Sequence, residues 1–352
     1  MNIFLTGSTG FLGGKLIKNL IKDEAHTLYV LVRNVQKGER ILSQFTKEQQ
    51  ERIHLLQGDI TLPACGLSNE ALEQLTDKVD TFYHLAALVK FDLDLRDELF
   101  AANYDGTKNS LELAAQLGVK KFLYVSTAYT VGKRSVAVEE LYDPEVDYHN
   151  PYEESKVKSE HLVFSYAAQM DVSILRPSII VGDSKTGEAD SQFTLYGFMR
   201  AIDLFKRRVN RSKEGQEQSY RLVANKNGTS NLVPVDYVAD VLSVAATKAK
   251  PGAIYNVTNP KPPHNYDLLM MLRDALQFNN LDVIEDTNAD YQLTPVEEKL
   301  NEMISVFNVY LAGSINFHDE NTQELLAGTA VEHLDMSDET VLMIMEAYFQ
   351  VK

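Results

Sequence analysis

The sequence predicts an α/β protein: a doubly wound parallel sheet with a smaller, mostly helical, discontinuous second part. Three observations lead there. Six short apolar or β-branched runs fall in the first 182 residues, at 2–6, 27–33, 52–57, 81–85, 121–126 and 172–175. Helical periodicity separates several of them, as in Leu12, Leu16, Leu20 and Ile21, and again in Leu111, Leu113, Ala114 and Leu117. Strands joined through helices of this length make parallel crossovers covered on both faces. Beyond Gly182 the rhythm changes to a polar stretch with one helical pattern, 193–205, and candidate returns to the sheet at 231–236 and 253–257. The remainder reads as mostly helical and closes with 337–349. The expected division is therefore 1–182 with 231–258 as a dinucleotide-binding domain, and 183–230 with 259–352 as a substrate-binding domain.

Composition excludes several classes. The 352 residues hold 34 Lys and Arg against 50 Asp and Glu, a net charge of −16, with 44% apolar and 24% charged residues. That balance supports a folded core. The acidic surplus argues against nucleic acid and against an anionic membrane surface as partners. A single cysteine, Cys65, forms no internal disulfide. The first residues carry no basic and apolar leader pattern, and no apolar run reaches the ~18 residues that span a bilayer. A cytoplasmic protein is the expectation. The eight histidines form no metal-ligand spacing, so no metal is expected.

The first strand runs into Gly7-Ser8-Thr9-Gly10-Phe11-Leu12-Gly13-Gly14 and then a helical pattern. A first glycine permits a tight turn, a second lets backbone approach a diphosphate, and a third packs helix on strand. The helix N-terminus then faces the phosphates. Gly7, Thr9, Gly10, Phe11, Leu12 and Gly13 are thus candidate cofactor-binding residues. At the end of the second strand stands Arg33, where a carboxylate would accept the ribose hydroxyl of NAD. A guanidinium pairs with a 2′-phosphate, so NADP(H) is expected in preference to NAD(H).

Hydride transfer to a carbonyl also needs a proton donor. A tyrosine with a lysine one helical turn away meets that need, because the ammonium lowers the phenol pKa. Four such pairs occur: Tyr104/Lys108, Tyr129/Lys133, Tyr152/Lys156 and Tyr348/Lys352. Only Tyr152 follows Asn150-Pro151, a helix opening, after a strand that emerges at Thr127. Ligands of open parallel sheets bind beyond the carboxyl ends of the strands, which brings Thr127 and Tyr152 together.

These features, with Gly58-Asp59-Ile60, His84-Leu85-Ala86-Ala87, Asn103 and Arg176-Pro177-Ser178, make the chain resemble the extended short-chain dehydrogenase/reductase family over roughly its first 260 residues. The resemblance implies a Rossmann fold and a set of roles. Asp59 and Ile60 would line the adenine, and Ala86 and Ala87 the diphosphate. Pro177 and Ser178 would sit near the carboxamide. Asn103 would kink its helix and hold a relay water. Thr127, where many relatives have serine, would bind the substrate oxygen. Tyr152 would be the general acid/base, and Lys156 would bond the nicotinamide ribose.

Two stretches, 83–92 and 175–188, are similar to the fatty acyl-CoA reductase and terminal thioester reductase branch, as is 315–322. That branch implies direct reduction of an acyl thioester, as acyl-CoA or on an acyl carrier protein, or of the derived aldehyde. The alternatives are a nucleotide-sugar epimerase, dehydratase or ketoreductase, and a dinucleotide-sensing binding protein. Cys65 lies far in sequence from the tetrad and reads as structural, so no acyl-enzyme is expected. The cations Lys206, Arg207, Arg208, Arg211 and Lys213 read mainly as a helix end and solvated loop. A second reading makes them a site for the phosphates of coenzyme A or the acidic face of an acyl carrier protein. A homo-oligomer is compatible with the sequence.

Overall fold

The computed structural model describes residues 1–189, 195–285, 292–305 and 313–350. It divides into two compact units. The first comprises Met1–Ser178, Val235–Thr258 and Phe317–His333, and the second Ile179–Pro234, Asn259–Asn316 and Leu334–Lys352.

The first unit is built on seven parallel strands: β1 (Asn2–Thr6), β2 (Thr27–Val32), β3 (Ile53–Gln57), β4 (Thr81–His84), β5 (Lys121–Val125), β7 (Asp171–Pro177) and β11 (Ile254–Val257). A two-residue strand, β6 (Val136–Ala137), lies between β5 and β7 in the chain. The spatial order is β11-β7-β5-β4-β1-β2-β3. The chain winds outward one way through β2 and β3 and the other way from β4, so the switch lies between β1 and β4. There the loops after neighbouring strands part, which is where such sheets bind ligands. The central strands are rich in buried apolar residues because helices cover both faces; Ile3, Phe4, Leu5, Phe82, Phe122 and Ile174 are fully buried. On one face Phe11–Leu20 packs against Val235–Lys248, tied by Asn19 Nδ2 donating to Asp240 Oδ1 at 2.7 Å.

The two candidate returns to the sheet part company. Residues 254–257 form β11 at its edge, but 232–234 pair with β8 (Ile179–Val181) in a separate two-stranded sheet of the second unit. The apolar run Leu232-Val233 signalled a buried strand without saying which sheet would take it. The second unit also holds β9 (Tyr220–Val223) paired with β12 (Leu281–Ile284). Its long helix is Leu195–Val209, so the first two residues of the expected helical pattern, Phe193 and Thr194, lie outside the described residues.

One buried ion pair locks the first unit. Arg176 on β7 donates from Nε to Glu160 Oε1 at 2.9 Å and from Nη2 to Glu160 Oε2 at 2.6 Å. Neither side chain is exposed. Further donations to the Val138 and Glu140 carbonyls complete the guanidinium fork. Removing one partner strands a charge in the interior, so Arg176→Met should cost about 3–5 kcal/mol in urea unfolding. Glu160→Gln/Arg176→Met together should recover a large part of that loss.

Candidate functional site

The glycine turn forms a cradle between β1 and β4. Gly7 has φ +72°, and a Cβ there would stand 2.5 Å from the Ala86 nitrogen. A Cβ on Gly13 would stand 2.4 Å from the Gly7 carbonyl oxygen. Bare backbone is therefore needed at both, and it brings the turn against the backbone of Leu85 and Ala86. The helix Phe11–Leu20 starts at Gly10 with no side-chain cap on its first N–H groups. Buried hydroxyls without a hydrogen-bond partner among the described residues follow four strands: Ser8 after β1, Ser126 after β5, Ser178 after β7 and Thr258 after β11. Uncapped amides and orphaned hydroxyls along one sheet edge fit a dinucleotide, whose phosphates and amide would satisfy them.

His84 braces this cradle. The Ala86 N–H donates to Thr6 Oγ1 at 3.3 Å, so the Thr6 proton goes to His84 Nδ1, 2.7 Å away. On the other side Thr107 donates to the Asn103 carbonyl, leaving its oxygen to accept from His84 Nε2 at 3.1 Å. Burial, reinforced by the Lys156 charge, pushes the imidazole down to about 3. It is a neutral strut that links three elements.

The candidate catalytic residues gather at the end of β5. Thr127 opens the short turn Ala128–Val131, and its Oγ1 accepts the Tyr129 N–H at 3.3 Å. Asn150 caps the helix Pro151–Phe164 by accepting the Glu153 N–H at 3.0 Å. Tyr152 stands in its first turn, half-buried, with the Thr127 side chain close enough to lower the pKa of its phenol. One turn on, Lys156 is 2% exposed. Its Nζ donates to the Val125 carbonyl at 2.8 Å and sits 4.3 Å from the Tyr124 ring centre. Burial drives the ammonium down to about 7, against the favourable charge of Glu160.

The phenol moves opposite to the sequence argument. Burial first and the Glu153 carboxylate second raise the Tyr152 pKa, with the Thr127 side chain opposing. Lys156 aims at the β5 carbonyl, so in the free protein Tyr152 is held as a protonated donor. Asn103 lies in a π-helical turn, Ala101–Asp105. Its amide clamps Leu88 from both sides, accepting the N–H at 2.7 Å and donating to the carbonyl at 3.0 Å, and also donates to Ser155 Oγ at 3.0 Å. That clamp, invisible to sequence reasoning, sets the loop after β4, whose Phe91 ring packs edge-on to Tyr152 at 5.9 Å.

The remaining candidates spread around this centre. Asp59 Oδ1 accepts from the Thr61 N–H and hydroxyl at 2.9 and 2.8 Å. Ile60 packs where a Cβ on Gly106 would strike it at 2.8 Å. Pro177 ends β7, and the Ser178 N–H donates to the Val257 carbonyl at 3.1 Å. Cys65 is buried and its thiol pushed up to about 11 by burial, an unreactive group. Of the basic cluster, Lys206 bonds the Leu276 carbonyl and Arg207 pairs with Asp203 at 2.8 Å, both within the second unit. Arg33 is exposed just past β2.

The family described as male sterility protein matches residues 5–242. The chain belongs to that family. It is an extended short-chain dehydrogenase/reductase, an NAD(P)-dependent oxidoreductase with a Rossmann fold. It is 28% identical over 289 residues to fatty acyl-CoA reductase 1 of Homo sapiens, covering 70% of this chain and 54% of the relative. The chain spans about half the length of the curated relatives it matches. The terminal R domain from the myxalamid PKS-NRPS biosynthetic pathway is similar with a TM-score of 0.78 and 25% identity, over 99% of this chain and 90% of that one. UDP-glucuronic acid 4-epimerase from Bacillus cereus, in complex with NAD, shares the fold with a TM-score of 0.69 and 18% identity, over 100% and 97% of the chains.

The NADP(H) expectation is corrected by these relatives: the structures solved with a dinucleotide carry NAD. The physical reason lies at Arg33. A guanidinium at a strand end can also stack on adenine or donate to ribose hydroxyls, so it is compatible with NAD. Its presence therefore does not select the 2′-phosphate. Among the described residues no helix is long and apolar enough to cross a membrane.

Gly13→Ala should weaken NAD binding at least about tenfold in calorimetric titration, a loss of ~1.4 kcal/mol or more. Gly14→Ala, whose Cβ meets nothing within 4 Å, should leave it unchanged. Because the Lys156 ammonium is lowered on folding, the unfolded chain binds the extra proton between pH 7 and about 10, and stability rises with pH across that window. Urea titrations at stepped pH should show this rise in the wild type and its loss in Lys156→Met.

Proposed function

We propose that the chain reduces the carbonyl carbon of an acyl thioester, carried on coenzyme A or an acyl carrier protein, with NADH. The observation that carries this reading is the placement of Tyr152 beside Thr127 past the end of β5, one helical turn from a buried lysine bonded to the Val125 carbonyl. The acyl-thioester class is supported by similarity to fatty acyl-CoA reductase 1 and to the myxalamid R domain. The nucleotide-sugar alternative rests on fold alone.

In this reading residues 1–182 and 231–258 hold the dinucleotide, and 183–230 with 259–352 hold the substrate. Gly7, Thr9, Gly10, Phe11, Leu12 and Gly13 face the diphosphate with Ala86 and Ala87. Asp59 and Ile60 flank the adenine beside Arg33. The Ser178 hydroxyl, next to Pro177, receives the carboxamide, and Lys156 gives a second N–H to the ribose. The bound dinucleotide supplies the hydride.

Thr127 holds the carbonyl oxygen, and Tyr152 protonates it as the carbon is reduced. The product is a hemithioacetal. Breaking its C–S bond releases the aldehyde, and the sulfur leaves as the thiol. A raised phenol pKa suits this direction, since the donor must be protonated when substrate arrives. Asn103 serves as a positioning residue through the Leu88 clamp.

Tyr152→Phe removes the proton but keeps the ring. It should lower kcat for dodecanoyl-CoA reduction about 10²–10⁴-fold and leave the NAD dissociation constant unchanged. Undiminished turnover would sink the assignment.

A further inference from the structure

Phe317 reaches the reaction centre from the far end of the chain. The segment Phe317–His333 belongs to the unit that carries Thr127 and Tyr152, while the chain on both sides of it belongs to the other unit. Its anchoring is extensive. The His318 N–H donates to the Ala137 carbonyl at 2.8 Å, and Asn256 Nδ2 donates to the His318 carbonyl at 2.7 Å. The half-buried carboxylate of Glu139 gathers the Asn321 N–H at 2.6 Å, the Asn256 N–H at 2.8 Å and the Thr322 hydroxyl at 3.2 Å.

Backbone held this firmly leaves the Phe317 side chain half-exposed. Its ring meets Tyr129 edge-on, centres 6.1 Å apart and planes at 73°. Tyr129 is half-exposed too, and its own N–H holds the Thr127 hydroxyl oxygen. Phe317 thus touches Tyr129, whose N–H bonds Thr127; Thr127 in turn acts on the Tyr152 phenol, and the Tyr152 ring packs on Phe91. Half-exposed aromatic rings beside reactive hydroxyls offer apolar area that a bound hydrocarbon covers.

We infer that Phe317 is a specificity-determining residue, forming with Tyr129 an aromatic wall against the apolar arm of the substrate. The inference rests on the acyl-thioester reading. It goes beyond that reading by assigning selectivity to a residue that sequence places 190 positions from Thr127 (317 − 127).

The chain contains no tryptophan, so Phe317→Trp creates a single fluorescent reporter at the wall. Titration with dodecanoyl-CoA in the presence of NAD⁺ should shift its emission saturably, whereas Val296→Trp, on an exposed helix position of the second unit, should not respond. Phe317→Ala should raise KM for dodecanoyl-CoA about tenfold, with KM for acetyl-CoA and NADH unchanged. Acyl-CoA turnover by the wild type, with no emission shift and an unaltered KM in Phe317→Ala, would overturn the wall and leave the thioester reading intact. Absence of both turnover and shift with every acyl-CoA would overturn the two together. A shift with UDP-glucuronate alone would do the same, by giving the wall to a sugar.

Discussion

The site depends on a buried ammonium group that ties one helix to the end of one strand. Lys156 gives a proton of its Nζ to the last carbonyl of β5 and lies over the Tyr124 ring. Burying that charge is unfavourable, as its fall to about 7 records. The tie nonetheless fixes the helix Pro151–Phe164 in rotation and height. Residues 152, 156 and 160 then share one face. The phenol of Tyr152 meets Thr127, the ammonium meets Val125, and the carboxylate of Glu160 meets Arg176 on β7. Two of these contacts lie at the end of β5 and the third on its neighbour β7, so displacing one would disturb the other two.

The dinucleotide cradle is likewise fixed before any ligand enters. Thr6, His84, Thr107 and Asn103 form a continuous chain of hydrogen bonds from β1 through β4 to the π-helical turn at Ala101–Asp105. Asn103 extends it to Leu88 and Ser155, and Ser155 lies next to Lys156 in sequence. Turn and reactive helix are therefore coupled through buried polar groups that satisfy one another, an arrangement that confers rigidity.

Much of this was legible in the sequence because it is local. The glycine spacing reports a backbone approach that a Cβ at Gly7 or Gly13 would block. The alternation of apolar runs and helical periodicity reports strands covered on both faces. Asn150-Pro151 singled out Tyr152/Lys156 from three coincidental pairs. What escaped is long-range. Glu139 and Phe317 are an ordinary acidic residue and an ordinary aromatic until the C-terminal return segment brings them to β11 and Tyr129. Asn103 could be flagged, but its grip on Leu88 has no periodic trace. Arg33 misled because one residue type serves more than one contact: a guanidinium at this position can also stack on adenine or donate to ribose hydroxyls. The direction of the Tyr152 shift was missed for a related reason, since helical spacing places Lys156 on the right face without saying that its ammonium turns toward Val125.

The central claim is direct hydride delivery to a thioester carbonyl beside a protonated Tyr152. The sharpest test is mass spectrometry of the product formed from dodecanoyl-CoA with NADH deuterated at the transferring position of the nicotinamide. The account predicts deuterium at C1 of the aldehyde, or of the alcohol derived from it, with no acyl adduct on Cys65. A reduced product free of deuterium, or a covalent dodecanoyl adduct on the protein that forms and decays with turnover, would contradict it.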